Sequence, residues 1–195
     1  MQSPPRAESM QKIRHFFLFG NKLLCSKGVY FPSDDSWFLQ NVLNKESAVS
    51  NAHALEIGCG TGLQAITLAK RGFKVTASDI QKIALLNTNI NAKISGVSIK
   101  TILSDVWQNI PNKKFEIICF NPPYVPSSAD SLLKDINVDG GIKGREILDR
   151  FLLQLDEFLA KNGRAYFIQT QINDFKKTEE MLKKQKMKAE IIAKK

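Results

Sequence analysis

Three observations predict an α/β fold with a mostly parallel central sheet flanked by helices. Short apolar runs alternate with helical patterns along the chain, the order that builds parallel sheets. A glycine-rich turn at 58–62 follows one of those runs and opens a helix. The run at 115–120 is apolar enough to be buried on both faces, as an interior parallel strand is.

The elements follow in order. Residues 1–28 read as a basic N-terminal extension containing Pro4-Pro5, with a short helix expected over 10–24 that docks its aromatic residues on the domain. The domain proper is expected over 29–195. A helix starts at 36–42, with Asp34 or Asp35 near its N-terminus. Residues 52–57 form a strand that ends in glycines, and 63–71 a helix closed by Gly72. Strand 74–78, helix 80–94, a β-rich run at 97–103 and strand 115–120 come next. Residues 121–143 are irregular. An amphipathic helix over 144–162 carries Ile147, Phe151, Leu155 and Phe158 or Leu159 on one face and is capped by Gly163. Strand 164–169, helix 174–185 and a last strand at 187–193 complete the pattern. In such sheets, ligands bind beyond the carboxyl ends of the strands.

The 195 residues suit one domain with a substantial core. Hydrophobic residues make up 43% and charged residues 24%, which excludes disorder over most of the chain. No run approaches the roughly 18 apolar residues of a membrane-spanning helix, so no membrane is expected. Cys25, Cys59 and Cys119 are odd in number and widely spaced, with no quartet of zinc ligands, and read as reduced thiols. The N-terminus does not resemble a secretory signal. A cytoplasmic location and no metal are expected. The formal charge is +9, and residues 174–195 hold eight Lys against four acids. That tail reads either as a solvated helix face or as a contact for nucleic acid or the ribosome.

Four motifs carry chemistry. In Leu55-Glu56-Ile57-Gly58-Cys59-Gly60-Thr61-Gly62 the glycines permit close approach of a ligand. Their spacing is neither that of a dinucleotide fingerprint nor that of a P-loop. Asp79 ends the next strand, 21 residues beyond Gly58. A lone strand-end aspartate is usually a helix cap. Behind this glycine loop it reads as an acceptor for two ribose hydroxyls. Asp105, after Ser104, can accept from an adenine amino group or cap a helix. The most specific signal is Asn121-Pro122-Pro123-Tyr124. Pro123 forces Pro122 to be extended and so aims its carbonyl. The Asn121 side-chain oxygen adds a second acceptor. Two acceptors on one planar NH2 group orient the nitrogen lone pair and favour a pyramidal nitrogen. Tyr124 offers a flat face for stacking.

Together these motifs resemble the signature of the class I S-adenosylmethionine-dependent methyltransferases, in the branch that methylates planar exocyclic or amide nitrogens. Val29-Tyr30-Phe31-Pro32-Ser33-Asp34-Asp35-Ser36 and Gly140-Gly141-Ile142-Lys143-Gly144-Arg145-Glu146-Ile147-Leu148-Asp149-Arg150-Phe151 resemble segments of the HemK-like release-factor glutamine methyltransferases of archaea and eukaryotes. The resemblance covers about residues 28–193. It implies a Rossmann-like methyltransferase fold, S-adenosylmethionine as cofactor, and transfer to the glutamine of a Gly-Gly-Gln motif in a class I release factor. It implies that Glu56, Gly58, Cys59, Gly60 and Gly62 hold the methionine part of the cofactor, with Ser36 near its carboxylate. Asp79 with Ile80 would take the ribose, and Asp105 with Val106 the adenine, with Asn121 also near the cofactor. Asn121, Pro122 and Tyr124 would act in catalysis. They would bind substrate together with Pro123, Tyr30 and Pro32, the last two in a lid that also holds Asp35. Asp35 and Ser36 read equally as a helix cap. Arg145 reads as a substrate contact or as the partner of a carboxylate near the sheet top. A small zinc-binding activator subunit is implied at the edge strand 97–103.

Family members continue past the strand matching 187–193 with a hairpin that returns a last strand to the sheet. The sequence ends at Lys195, so this C-terminal strand is expected to be missing. Two other readings compete with the protein-directed one. A nucleic-acid methyltransferase acting on an adenine or guanine amine would use the same tetrapeptide and suit the positive charge. A catalytically silent cofactor-binding subunit would suit the short C-terminus.

Overall fold

A computed structural model describes residues 14–18, 21–127 and 135–194. It opens with an antiparallel hairpin, β1 (Arg14–Leu18) and β2 (Asn21–Cys25), in register from Arg14 opposite Cys25 to Leu18 opposite Asn21. There follow α1 (Asp34–Leu43), β3 (His53–Ile57), α2 (Leu63–Lys70), β4 (Lys74–Asp79), α3 (Lys82–Ile94), β5 (Ile99–Leu103) and β6 (Phe115–Phe120). After an irregular stretch come α4 (Glu146–Leu153), α5 (Leu155–Phe158), β7 (Leu159–Phe167) and α6 (Phe175–Lys184).

The main sheet is parallel, in the order β5-β4-β3-β6-β7. The chain starts in the middle at β3, steps outward to β5, then returns to β6 on the other side. Adjacent loops therefore part company between β3 and β6, where open α/β sheets bind ligands. The register pairs Ile57 with Phe120. The glycine turn and the Asn-Pro-Pro-Tyr loop consequently leave the sheet side by side.

Alternation along β6 sorts its side chains between two cores. Ile118 and Phe120 join Leu55, Trp107, Leu148 and Phe151 on one face. Ile117 and Cys119 join Ala54, Ala77, Leu43 and Leu68 on the other. Trp107 stacks parallel on Phe158 at 4.5 Å and donates its indole N–H to the Phe151 carbonyl at 3.0 Å. Burying each such ring contributes about 2–3 kcal/mol. The three cysteines are buried and unbridged. No helix among the described residues is long and apolar enough to cross a membrane.

Four expectations need correction. The helix expected over 10–24 is a hairpin where it is described. Its backbone is tied to α3 by side-chain amides, with Asn91 Oδ1 accepting from Leu24 N–H at 2.8 Å and Asn87 Oδ1 from Ser26 N–H at 2.7 Å. A helix would have satisfied those groups internally. Residues 1–13, and the aromatic side chains expected to dock, lie outside the described residues. The helix expected over 144–162 breaks at Gln154 and ends at Phe158, because β7 already begins at Leu159 to pair with Phe115. Gly163 therefore lies within a strand and caps nothing. Residues 187–193 form no strand. A strand exists only with a ladder partner, and Met187 and Ala189 instead pack their side chains against the core.

Candidate active site

The cleft opens at the carboxyl ends of β3, β4 and β6, and the predicted site residues line it, except Gly62, which turns toward Thr88, and Arg145. Gly58, Cys59, Gly60, Asp79, Ile80, Asp105, Val106 and Asn121 through Tyr124 all line its wall, as do Tyr30, Pro32, Asp35 and Ser36.

On the β3–β4 side, Glu56 is buried and accepts from Ala65 N–H at 2.8 Å, tying the strand to the start of α2. Burial pushes its carboxyl well above the usual carboxylate range, with the nearby Asp79 charge adding to it. Asp79 accepts from Gly60 N–H at 3.0 Å through Oδ2 and from Gln81 N–H at 2.9 Å through Oδ1. Burial raises its pKa too. The backbone N–H of Ile80 adds a third hydrogen bond, and all three favour the ionised form against the burial. Gln64, which the sequence reading passed over, is buried, donates to the Ser36 carbonyl at 2.8 Å and leaves Oε1 without a partner.

Asp105 caps no helix. It pairs with Arg150 at 2.8 Å, and both side chains line the cleft. Val106, just after it, is buried at φ 51°. Arg150 was also missed, although it stands in the quoted Arg-Phe run.

The opposite wall converges on Asp35. Its Oδ2 accepts from Asn121 Nδ2 at 3.0 Å and from the Tyr124 hydroxyl at 3.0 Å. Its Oδ1 accepts from Ser36 N–H at 2.6 Å, Ser33 Oγ at 2.8 Å and Ser36 Oγ at 3.1 Å. The Tyr30 hydroxyl reaches both oxygens at 3.2 Å. Burial pushes the Asp35 carboxyl up, but the hydrogen bonds from Asn121, Ser33, Ser36 and Tyr124 outweigh it and leave it below its ordinary value. Burial, then the Asp35 charge, raises the Tyr124 phenol strongly. Asp35 thus satisfies a first-turn N–H of α1 and reaches the Asn-Pro-Pro-Tyr loop as well. Ser33 occupies the cap position of α1, without a side-chain bond to the helix. With Nδ2 committed to Asp35, Asn121 has its Oδ1 buried and unpartnered.

Arg145 is buried away from the cleft. It pairs with Asp149 at 2.7 Å and donates to the carbonyls of Asn173 and Asp174. The carboxylate reading of Arg145 is the one observed. Its network supports the Asn-Pro-Pro-Tyr loop from below. Asn173, fully buried, donates to the Tyr124 carbonyl at 3.0 Å and to the Gly144 carbonyl at 3.0 Å. Gly144 lies so close beneath Tyr124 that a Cβ there would collide with the Tyr124 carbonyl. That collision explains a glycine at the end of the Gly-Gly-x-x-Gly run.

The cleft lies where the sheet order reverses, between the glycine turn and the Asn-Pro-Pro-Tyr loop. On this sheet order, that is the arrangement of the class I S-adenosylmethionine-dependent methyltransferases. The chain belongs to the methyltransferase small domain family, whose model matches residues 33–195. It is 40% identical over 179 residues to a putative protein N5-glutamine methyltransferase of Methanocaldococcus jannaschii, covering 89% of this chain and 88% of that one. It is 32% identical over 161 residues to a release factor glutamine methyltransferase of Koribacter versatilis, covering 76% of this chain and 58% of that longer protein. Among solved structures, the T. thermophilus 16S rRNA N2 G1207 methyltransferase, in complex with AdoMet and guanosine, superposes with a TM-score of 0.68 at 17% identity, over 94% of this chain and 47% of that one. This protein is an S-adenosylmethionine-dependent methyltransferase.

Proposed function

We propose that the chain methylates the side-chain amide of a glutamine, in the Gly-Gly-Gln motif of a class I release factor. The observation that carries this is the buried, unpartnered Oδ1 of Asn121 at the head of a proline-stiffened loop. An acceptor kept dry and unpaired costs about 1–3 kcal/mol, which a bound N–H donor would recover. The name of the M. jannaschii relative supports a protein glutamine, and that of the K. versatilis relative a release factor.

The residue roles follow. Asp79 takes the ribose hydroxyls, and Ile80 and Val106 flank the base. Asp105, steadied by Arg150, takes the adenine amino group. Gly58, Cys59 and Gly60 line the cofactor's approach, Gly62 closes the turn onto Thr88, and Glu56 holds that turn on α2. Ser36 and the free Gln64 Oε1 face the amino-acid end. S-adenosylmethionine supplies an electrophilic methyl group on a sulfonium, so no base is needed beforehand. Asn121 Oδ1 and the Pro122 carbonyl accept hydrogen bonds from the two N–H groups of the amide. They localise the nitrogen lone pair and turn it toward the new N–C bond. Pro123 keeps the loop stiff, and Tyr124, Tyr30 and Pro32 wall the amide plane. With the cofactor bound, the N–C bond would form as the methyl–sulfur bond breaks, leaving a neutral thioether, and the surplus N–H proton would pass to water.

The test is transfer of labelled methyl to release factor, to the factor with its motif Gln replaced, and to adenine-containing DNA and RNA. Label on the intact factor alone is expected. Label on nucleic acid alone would favour the second reading, an adenine or guanine amine. That reading draws on the same acceptors and on the exposed lysines of the C-terminal tail. Asn121→Ala should lower turnover roughly 100-fold while the cofactor Kd changes less than threefold. Equal losses in both would refute its role.

A small zinc-binding activator fits the free edge of β5 next to α3. Leu86, Ile90 and Ile94 form an exposed apolar stripe on α3, and Leu103 on β5 is exposed as well. An uncovered edge strand with apolar neighbours is an aggregation liability. Copurification with such a subunit, abolished by Ile90→Glu, is the expected result. A fully active, soluble monomer would count against it.

A further inference from the structure

We propose that Asp35 is the positioning residue that decides which end of the Asn121 amide faces the cleft, and thereby restricts the site to nucleophiles that present N–H donors. This deepens the amide reading above and rests on it. An asparagine amide is nearly symmetrical in shape, so its packing alone does not choose between oxygen inward and nitrogen inward. An ionised carboxylate settles the choice, because it can only accept. Asp35 sits 86 residues before Asn121, on the first turn of α1, and takes Asn121 Nδ2 at 3.0 Å. The Asn121 oxygen is thereby forced to the other side, where it lies buried and unpartnered.

The orientation of Asp35 is itself fixed. Backbone N–H of Ser36 holds Oδ1 at 2.6 Å, and Ser33 Oγ holds it at 2.8 Å. Oδ2 is left for Asn121 and for the Tyr124 hydroxyl at 3.0 Å. One carboxylate therefore sets both the polarity of Asn121 and the position of the Tyr124 ring. A substrate offering an oxygen or ring-nitrogen acceptor would meet an acceptor and find no donor at this point.

The test is Asp35→Asn, which is nearly isosteric. The Ser36 N–H still requires an oxygen on its side, so the new NH2 group must face Asn121. The Asn121 amide then has to turn its oxygen toward position 35 and its NH2 into the cleft. Turnover should fall roughly 100-fold, with cofactor Kd within threefold and a single cooperative melting transition retained. Asn121→Asp alone sets two carboxylates against each other and should be as poor. The double variant D35N/N121D restores a donor at 35 facing an acceptor at 121, with the second oxygen again in the cleft. It should recover at least tenfold over either single variant.

Asp35→Asn with turnover within threefold of wild type would overturn the proposal. So would a double variant no better than the poorer single one. A readout independent of activity is the Asn121 side-chain 15N amide resonance. Its protons should be protected from exchange in the wild-type protein and lose that protection in Asp35→Asn. Equal exchange in both proteins would also overturn the proposal. Should the wild-type chain methylate none of the acceptors offered, the substrate reading fails, while the amide exchange still decides the role of Asp35.

Discussion

Gly62 to Ala is the sharpest test of how the cofactor turn is held. Gly62 has φ 79°, a left-handed conformation, and a Cβ there would sit 2.8 Å from Thr88 Cγ2 and 3.0 Å from its Oγ1. The backbone term costs about 1–2 kcal/mol, offset by about 0.4–1 kcal/mol from a stiffer unfolded chain. The steric term adds about 1–3 kcal/mol, because Thr88 is fully buried and cannot retreat. The net loss is about 1–5 kcal/mol, or roughly 2–20 °C in Tm at this chain length. Gly96→Ala is the control. It has φ 68° with nothing within 4 Å of the added Cβ, so it carries the backbone term alone. Urea unfolding of both variants isolates the steric part. Thr88→Ser removes the atom at 2.8 Å and keeps the hydroxyl that donates to the Gly60 carbonyl at 3.2 Å. Combined with Gly62→Ala it should recover at least about 1 kcal/mol. Equal losses for Gly62→Ala and Gly96→Ala, with no recovery through Thr88→Ser, would refute the reasoning.

Two further outcomes are expected. Burial raises the Asp79 pKa, so the cofactor-free protein loses stability as pH rises from the ordinary carboxylate value through the raised one. Cofactor binding has the opposite sense, because ribose hydroxyls need the ionised carboxylate. Affinity should fall as pH drops through the raised pKa, and calorimetry in buffers of different ionisation enthalpy should detect proton release on binding. No such release would count against Asp79 as the ribose acceptor. Asn173→Ala strips the donor from the Tyr124, Lys143 and Gly144 carbonyls and should cost about 2–4 kcal/mol of stability. Turnover should fall more than cofactor affinity, since the loosened loop is the one proposed to hold the substrate.

The parts of the site carried by contiguous residues were legible. The glycine turn, the strand-end aspartates and Asn-Pro-Pro-Tyr act through local backbone geometry, which consecutive residue types dictate. Parallel β6 declared itself through apolar content, and the family resemblance agreed. The boundary between α4 and β7 did not. The apolar face at Ile147, Phe151 and Leu155 continues in helical step to Phe158, and only pairing with Phe115 converts the next residues into strand. The N-terminal run was equally open, because Leu23 and Leu24 suit a helix or a strand until Asn87 and Asn91 claim their backbone.

What escaped the sequence is the set of contacts that span it. An aspartate at a helix start has a sufficient local explanation as a cap, and nothing nearby says that its partner stands 86 residues on. Arg145 had two plausible partners, and the choice depended on where Asn173 and Asp174 turn. The same holds for Gly144. Its glycine is demanded by the Tyr124 carbonyl above it, and a glycine whose reason lies in another loop reads, in sequence, like any turn glycine. Such residues share one property: each fixes the Asn-Pro-Pro-Tyr loop without belonging to it. Substituting them should therefore disturb catalysis in proportion to how far that loop moves, whatever their own distance from the cleft.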